Sequence, residues 1–122
     1  MCSKRSVPTL STASTPETSK PLAEAATALR QTYRKQLAAI MAQDTTAEDP
    51  IEIQPRISQE LSDLADAALE GALAIARNEV DGSEHVRFAI IGMGKLGARE
   101  LNYVSDVDSS TWWNRRTRTP TA

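Results

Sequence analysis

The sequence predicts an α+β fold in which two long helices lead into a strand-turn-helix-strand unit. Three observations support this prediction. Apolar residues recur at steps of three and four along two separate segments, as in amphipathic helices. A near-continuous apolar run, VRFAII, follows them and is typical of a buried strand. The glycine-rich stretch GMGKLG comes directly after that run and predicts a tight turn.

Composition narrows the classes of protein that the chain can belong to. The 122 residues carry a formal net charge of -2 and give a pI of about 5.4, which argues against a general nucleic-acid binder. A single cysteine, Cys2, cannot form an internal disulfide, and no apolar run reaches the roughly 18–20 residues of a membrane span. We therefore expect a cytoplasmic protein that binds neither nucleic acid nor membrane. Residues 1–18 lack the apolar middle of a secretory signal, and we predict a disordered leader there.

The helical segment is predicted to span residues 19–82. Its first helix covers residues 19–43, and Pro50 disfavours helical geometry at the residue before it, so we expect a break there. The stretch IEIQP is short, alternating and bounded by prolines, which suggests an extended connector. A second helix is then expected over residues 55–82, ended by a glycine that accepts the left-handed conformation. The alanine-rich faces of the two helices predict close packing between them.

The segment after these helices is predicted to contain two strands and a short helix. Val86–Ile91 forms the first strand, and GMGKLG turns the chain. ARELNY is expected to form about two helical turns, and VSDVD a second strand. Because side chains two apart on a strand share a face, Asp106 and Asp108 would point the same way.

Two familiar nucleotide-binding motifs fit the glycine stretch poorly. A P-loop needs a hydroxyl residue after its lysine, whereas Lys95 is followed by Leu96. The spacing of Gly92, Gly94 and Gly97 does match the dinucleotide-binding pattern G-x-G-x-x-G. That fold, however, needs a crossover of a dozen or more residues and an acidic residue about 20 positions further on. A Rossmann-type module is kept as an alternative because its three glycines are present, although the crossover and the acidic residue that it needs are not.

A third interpretation combines the glycine turn with the two aspartates. Two carboxylates on one face suit Mg²⁺, which takes hard oxygen ligands and commonly retains substrate phosphates. Backbone N–H groups at the glycines and the positive end of a short helix would approach those phosphates. The competing interpretation is a solvated strand end beside a simple turn, and spacing alone leaves both open.

The run from Gly92 to Asp108 resembles the signature of the glutamine synthetase adenylyltransferases, which belong to the nucleotidyltransferase superfamily. Their pattern is G-M-G-K-L-G-G-R-E-L-N-x-x-S-D-x-D, and this chain departs from it chiefly at Ala98. Enzymes of this family have two catalytic domains. The residues E-L-N-Y are more similar to the N-terminal, adenylyl-removing domain than to the C-terminal, adenylylating one. Residues 83–108 would then be the start of a nucleotidyltransferase domain, which is incomplete at its C-terminus.

The resemblance implies a regulator of nitrogen assimilation. Enzymes of this family transfer AMP from ATP to a tyrosine of glutamine synthetase and remove it by phosphorolysis, which releases ADP. A PII signalling protein commonly biases the two activities. Carried over by position, Asp106 and Asp108 would be catalytic residues that bind Mg²⁺, and Gly92, Gly94 and Lys95 would bind the nucleotide. Packing roles are expected for the other polar positions of the signature, which are Arg99, Glu100 and Asn102.

Residues 109–122 depart from the family pattern, which continues with an apolar strand similar to VIYVV. Here the chain reads SSTWWNRRTRTPTA. Trp112-Trp113 fixes the codons TGGTGG, and one base restored upstream, with suitable synonymous codons, gives Val-Ile-Tyr-Val-Val. We therefore predict a frameshifted tail, with a genuine basic extension as the alternative. A non-catalytic truncated remnant is the alternative to an enzyme, and we expect this chain alone to be inactive.

Overall fold

The computed structural model describes residues 19–116. The predicted leader and residues 117–122 of the tail lie outside the described residues. Chain order runs from two long helices to a two-stranded sheet, with these bounds: α1 Ser19–Thr46, α2 Pro50–Glu79, a 3-10 turn Ser83–His85, β1 Val86–Gly92, α3 Gly94–Gly97 and β2 Ser109–Arg115. This order confirms the predicted α+β class. Within residues 19–116, no helix combines the length and apolarity that crossing a membrane requires.

The break between the two long helices falls where it was predicted, but α2 begins earlier than expected. Asp49 caps α2, because its Oδ1 accepts hydrogen bonds from the backbone N–H groups of Ile51 at 2.9 Å and Glu52 at 3.2 Å. Pro50 occupies the first turn, where its missing N–H leaves no bond unmade. The prediction of an extended connector at IEIQP was therefore wrong. The Asp49 cap starts the helix before this stretch, and Pro55 therefore lies inside α2.

The core lies between the helical pair and the glycine-rich region. Both helices supply buried residues, as expected for packed amphipathic faces. The signature region adds two leucines, so it is anchored in the same apolar cluster as the helices. The buried apolar residues are Ile40, Ile57, Leu61, Ala65, Leu96 and Leu101.

The two strands pair antiparallel, in a register that runs from Val86 opposite Arg115 to Gly92 opposite Ser109. The second strand thus lies in the tail, and the prediction that VSDVD forms it was wrong. The reason is the end of β1: Gly92 is its last residue, and a bond of 2.9 Å from the N–H of Met93 to the carbonyl of Asp108 closes the ladder. Residues before Asp108 have no strand opposite them. Whether the tail arose by a frameshift stays a prediction.

The short helix is also displaced from the predicted position. It is the single turn α3, and residues 98–103 are irregular rather than helical. Arg99 has φ of 63°, in the left-handed region, and the N–H of Glu100 donates to the carbonyl of Lys95 at 2.8 Å. The Arg99 N–H donates to Leu96 at 3.1 Å. This pair of bonds around a left-handed residue is a Schellman motif, which ends a helix. We call residues 98–108, between α3 and β2, the carboxylate loop.

Candidate functional site

The glycine turn brings the end of β1 and the helix α3 into close contact. A Cβ built on Gly97 would lie 2.7 Å from the carbonyl oxygen of Gly92, a backbone atom that cannot rotate away. The N–H of Gly97 donates to the carbonyl of Met93 at 3.1 Å. The turn therefore has room for glycine alone at position 97, which agrees with a tight turn at GMGKLG.

The structure places one of the two predicted carboxylates on this turn. Gly94 has φ of 54°, and a Cβ built on it would lie 2.9 Å from Oδ2 of Asp108. The carbonyl of Asp108 accepts the N–H of Met93, so its backbone is fixed as well. Both Gly94 and Asp108 are exposed to solvent. A carboxylate is thus held against the backbone of the turn, within reach of solvent and of a ligand.

The positions of Asp106 and Lys95 are less restricted than that of Asp108. Asp106 lies in the carboxylate loop and is exposed, so the two aspartates do not share a strand face as predicted. Lys95 is exposed on α3. Across residues 19–116, no group of three or more His, Cys, Asp or Glu side chains is arranged to hold a metal ion. The carboxylates of Asp106 and Asp108 are hard oxygen donors that fit part of the shell of Mg²⁺, and other ligands would have to complete it.

Arg99 docks the carboxylate loop on α2, which sequence reasoning did not reveal. Its guanidinium forms ion pairs with Asp63 and Asp66, two carboxylates three residues apart on the helix. The expected packing role of Arg99 is thus a charged contact between the signature and the helical segment. The helical spacing of Asp63 and Asp66 is visible in the sequence, but nothing there identifies their partner Arg99, which lies 33 residues after Asp66.

A buried hydrogen bond holds the next part of the loop. The N–H of Leu101 donates to Oγ of Ser62 at 3.3 Å, and the Ser62 hydroxyl donates to the carbonyl of Ser58 at 2.8 Å. Ser62 is fully buried, with 0% exposure. Further along, Oδ1 of Asn102 accepts the Ser105 hydroxyl at 2.6 Å, so the exposed Asn102 side chain shapes a turn.

Tyr103 links the loop to the end of α1. Its hydroxyl donates to Oδ2 of Asp44 at 2.9 Å. Burial raises the pKa of the Tyr103 phenol, and the adjacent Asp44 carboxylate raises that pKa further. His85, by contrast, is exposed, and its Nε2 lies 3.2 Å from Oε1 of Glu84.

A cavity of about 410 Å³ lies behind the glycine turn, between α2 and β1. Its wall combines apolar and charged side chains, and Asp106 and Asp108 do not line it. The lining residues are Asp66, Leu69, Glu70, Leu73, Ile90, Gly92, Leu96, Gly97 and Arg99. The cavity therefore belongs to the packing between helix and sheet and is separate from the two carboxylates.

Fold and signature together define an α+β unit in which a glycine turn and an exposed carboxylate meet at the end of a strand pair. A family model described as glutamate-ammonia ligase adenylyltransferase matches residues 7–122, and the chain belongs to this family. The family membership confirms the resemblance seen between Gly92 and Asp108.

Curated relatives share one name, bifunctional glutamine synthetase adenylyltransferase/adenylyl-removing enzyme. The protein from Bifidobacterium longum subsp. infantis is 81% identical over 93 residues, which cover 76% of this chain and 9% of the relative. That of Leifsonia xyli subsp. xyli is 50% identical over 95 residues, covering 70% and 9%. That of Mycolicibacterium smegmatis is 51% identical over 83 residues, covering 66% and 8%. This chain therefore spans about 9% of the length of the first two relatives. No solved structure matches it.

Proposed function

We propose that this chain is part of an enzyme that attaches AMP to a tyrosine of glutamine synthetase and removes it by phosphorolysis. Family membership supports the reaction class, a nucleotidyl transfer. The observation that carries the proposal is that the Asp108 carboxylate lies beside Gly94, where a Cβ would come within 2.9 Å of Oδ2. It places an acidic group beside a turn whose backbone a phosphate can approach.

The proposal assigns this segment to the adenylyl-removing site. In that reaction a phosphate oxygen bonds to the phosphorus of the adenylyl group. The bond between that phosphorus and the tyrosine oxygen breaks, and ADP and a free tyrosine result. The E-L-N-Y wording of the signature supports the adenylyl-removing copy over the adenylylating one.

Each predicted site residue has a role in this chemistry. Asp106 and Asp108 would hold Mg²⁺, which when bound would stabilise negative charge on the phosphate of the transferred adenylyl group. Backbone N–H groups of the turn at Gly92 and Gly94 would bind the phosphates of ATP or ADP. The exposed ammonium of Lys95 supplies a positive charge to the same phosphates.

Two protein partners and a cellular location follow from this proposed reaction. Glutamine synthetase is the protein substrate, and a PII signalling protein is the expected regulator. A cytoplasmic location follows from the substrate and accords with the single cysteine. The 122-residue chain assayed alone is expected to show no turnover. Its sequence contains no Asp or Glu after Asp108 that could act as a third carboxylate.

The test uses a chimera in which residues 19–108 replace the matching segment of the full-length Bifidobacterium longum subsp. infantis relative. Asp106→Asn and Asp108→Asn are each expected to lower phosphorolysis of adenylylated glutamine synthetase by about 100-fold, a typical effect of removing one charge-stabilising group. Adenylylation, measured in the same preparation, is expected to be largely unchanged. Asp81→Asn is the matched control, because Asp81 is exposed at the end of the helical segment.

Two outcomes would contradict the proposal. Loss of adenylylation with phosphorolysis intact would assign the segment to the other catalytic half. Unchanged phosphorolysis in both variants would mean that the segment is a non-catalytic remnant. Binding of NAD⁺ by the unmodified chain would instead favour the Rossmann-type alternative.

A further inference from the structure

The carboxylate loop contains neither helix nor strand, although it carries Asp106 and Asp108. Ordering an irregular segment of this length costs conformational entropy of about 1–2 kcal/mol for each residue's backbone. A loop that presents two carboxylates in fixed places therefore needs contacts that restrict it. The structure shows three such contacts with the helical pair, and they involve Arg99, Leu101 and Tyr103.

Arg99 makes the first contact and sets the direction in which the loop leaves α3. Its left-handed backbone, with φ of 63°, ends the helix, and its guanidinium pairs with Asp63 and Asp66. A residue other than glycine in this conformation is disfavoured by about 1–2 kcal/mol. The ion pairs with α2 oppose that cost, because the planar fork of an arginine can engage two carboxylates at once.

Leu101 and Tyr103 make the second and third contacts between the carboxylate loop and the helical pair. Leu101 is 5% exposed, and its N–H is bound to the buried hydroxyl of Ser62. The hydroxyl of Tyr103 is bound to Asp44 at 2.9 Å. The first three odd-numbered positions of the loop are thus fixed to the helical pair, and the far end of the loop is fixed by the bond from Met93 to Asp108.

We propose that Arg99 is a positioning residue, which sets the place of the Asp108 carboxylate by docking the carboxylate loop on α2. This inference rests on the proposed function for the role of that carboxylate. If Arg99 has this role, the helical segment and the signature act as one unit. A change on α2, distant in sequence from the aspartates, alters how well they bind a divalent cation.

A purely stabilising role for Arg99 would give a different experimental result. Removal of a brace lowers the stability of the fold but leaves cation affinity unchanged as long as the chain is folded. Loss of a positioning residue lowers cation affinity under the same conditions. Contacts behind metal ligands commonly change metal affinity by about 10–100-fold.

The test titrates the 122-residue chain with Mn²⁺ and follows paramagnetic broadening of the Asp106 and Asp108 amide signals by NMR. Arg99→Gln is expected to raise the dissociation constant for Mn²⁺ by about 10-fold. Arg99→Lys is expected to be intermediate, since an ammonium is a point charge without the planar fork. Hydrogen exchange of the Met93 amide, which is bound to the Asp108 carbonyl, is expected to accelerate in Arg99→Gln.

Arg56→Gln is the matched control. Arg56 pairs with Glu60 at 2.9 Å and donates to Oε1 of Gln43 at 2.6 Å, so it joins the two helices, and it pairs with neither Asp63 nor Asp66. Its replacement is expected to leave both the Mn²⁺ dissociation constant and Met93 exchange within about twofold of the unmodified chain, because it removes none of the bonds that Arg99 makes.

Unchanged Mn²⁺ affinity and unchanged Met93 exchange in Arg99→Gln would overturn the inference. If Arg99→Gln loses its helical circular dichroism signal, the double variant Asp63→Asn and Asp66→Asn weakens the same contact from the α2 side and is judged by the same criteria. Absence of Mn²⁺ binding to the unmodified chain would mean that Asp106 and Asp108 do not hold the ion without further ligands. Met93 exchange would then decide the docking role by itself, with acceleration in its favour and no change against it.

Discussion

Substitution of Gly94 by alanine measures how tightly the Asp108 carboxylate is held on the glycine turn. Gly94 has a positive φ of 54°, and the new Cβ would lie 2.9 Å from Oδ2 of Asp108. Two costs therefore add: the left-handed backbone and the collision with the carboxylate. The first is about 1 kcal/mol for an L-residue. The second adds about 1 kcal/mol, since the carboxylate is exposed and can partly rotate away.

Gly82→Ala separates these two costs. Gly82 has a positive φ of 80°, but a Cβ there would meet nothing within 4 Å. We expect Gly82→Ala to lower the free energy of unfolding by about 1 kcal/mol and Gly94→Ala by about 2 kcal/mol. In an Asp108→Ala background, the cost of Gly94→Ala is expected to fall to about 1 kcal/mol, because the atom in collision is gone.

Urea denaturation followed by tryptophan fluorescence is the assay. The two tryptophans of the chain, Trp112 and Trp113, lie on β2, so the signal reports the sheet that the glycine turn completes. Equal costs for Gly82→Ala and Gly94→Ala, or a cost of Gly94→Ala that persists without the Asp108 side chain, would refute the reasoning. Asp108 would then not be held against the turn.

Two further predictions concern the caps and contacts of the helical pair. Asp49→Ala removes the side-chain acceptor at the start of α2 and is expected to lower the free energy of unfolding by about 1 kcal/mol, measured by circular dichroism in urea; an unchanged midpoint would contradict the cap. Tyr103→Phe is expected to lower it by at most about 1 kcal/mol at pH 7. Because the pKa of Tyr103 is raised in the folded state, the stability from its bond to Asp44 is fully present below 10.0, the ordinary pKa of a tyrosine phenol, and is lost as pH rises through the folded pKa. The difference between Tyr103→Phe and the unmodified chain is therefore expected to shrink at alkaline pH, and a difference independent of pH would contradict the contact.

The sequence predicted the order of the elements because their patterns are local. The helical spacing of apolar residues, the proline at the start of α2 and the apolar run of β1 each act over a few residues. Boundaries were less accessible. The IEIQP stretch alternates like a strand, yet the Asp49 cap, a single side chain in the right place, starts the helix there.

The residues of the candidate site stay a prediction, and the strand that was predicted to carry two of them was wrong. Asp106 and Asp108 were expected on a strand, but the register of β1 and β2 starts one residue later, at Ser109. Register depends on where the partner strand ends, which is a long-range property that spacing does not contain. In the same way, the left-handed Arg99 at the end of α3 pairs with carboxylates on α2 that lie more than 30 residues away, and such a partner is not visible in local spacing.

The central claim is that Asp108 holds the catalytic Mg²⁺ of the adenylyl-removing reaction, and a metal-rescue measurement tests it most directly. Asp108→Cys in the chimeric enzyme replaces a hard oxygen ligand by a soft thiolate, which favours softer ions over Mg²⁺. We expect phosphorolysis with Mg²⁺ to fall by about 100-fold and to recover by about 10-fold or more when Cd²⁺ is added. Rescue by Cd²⁺ is not expected for Asp108→Ala. An equal loss with both ions, or full activity of Asp108→Cys with Mg²⁺, would contradict the claim that this carboxylate is a metal ligand.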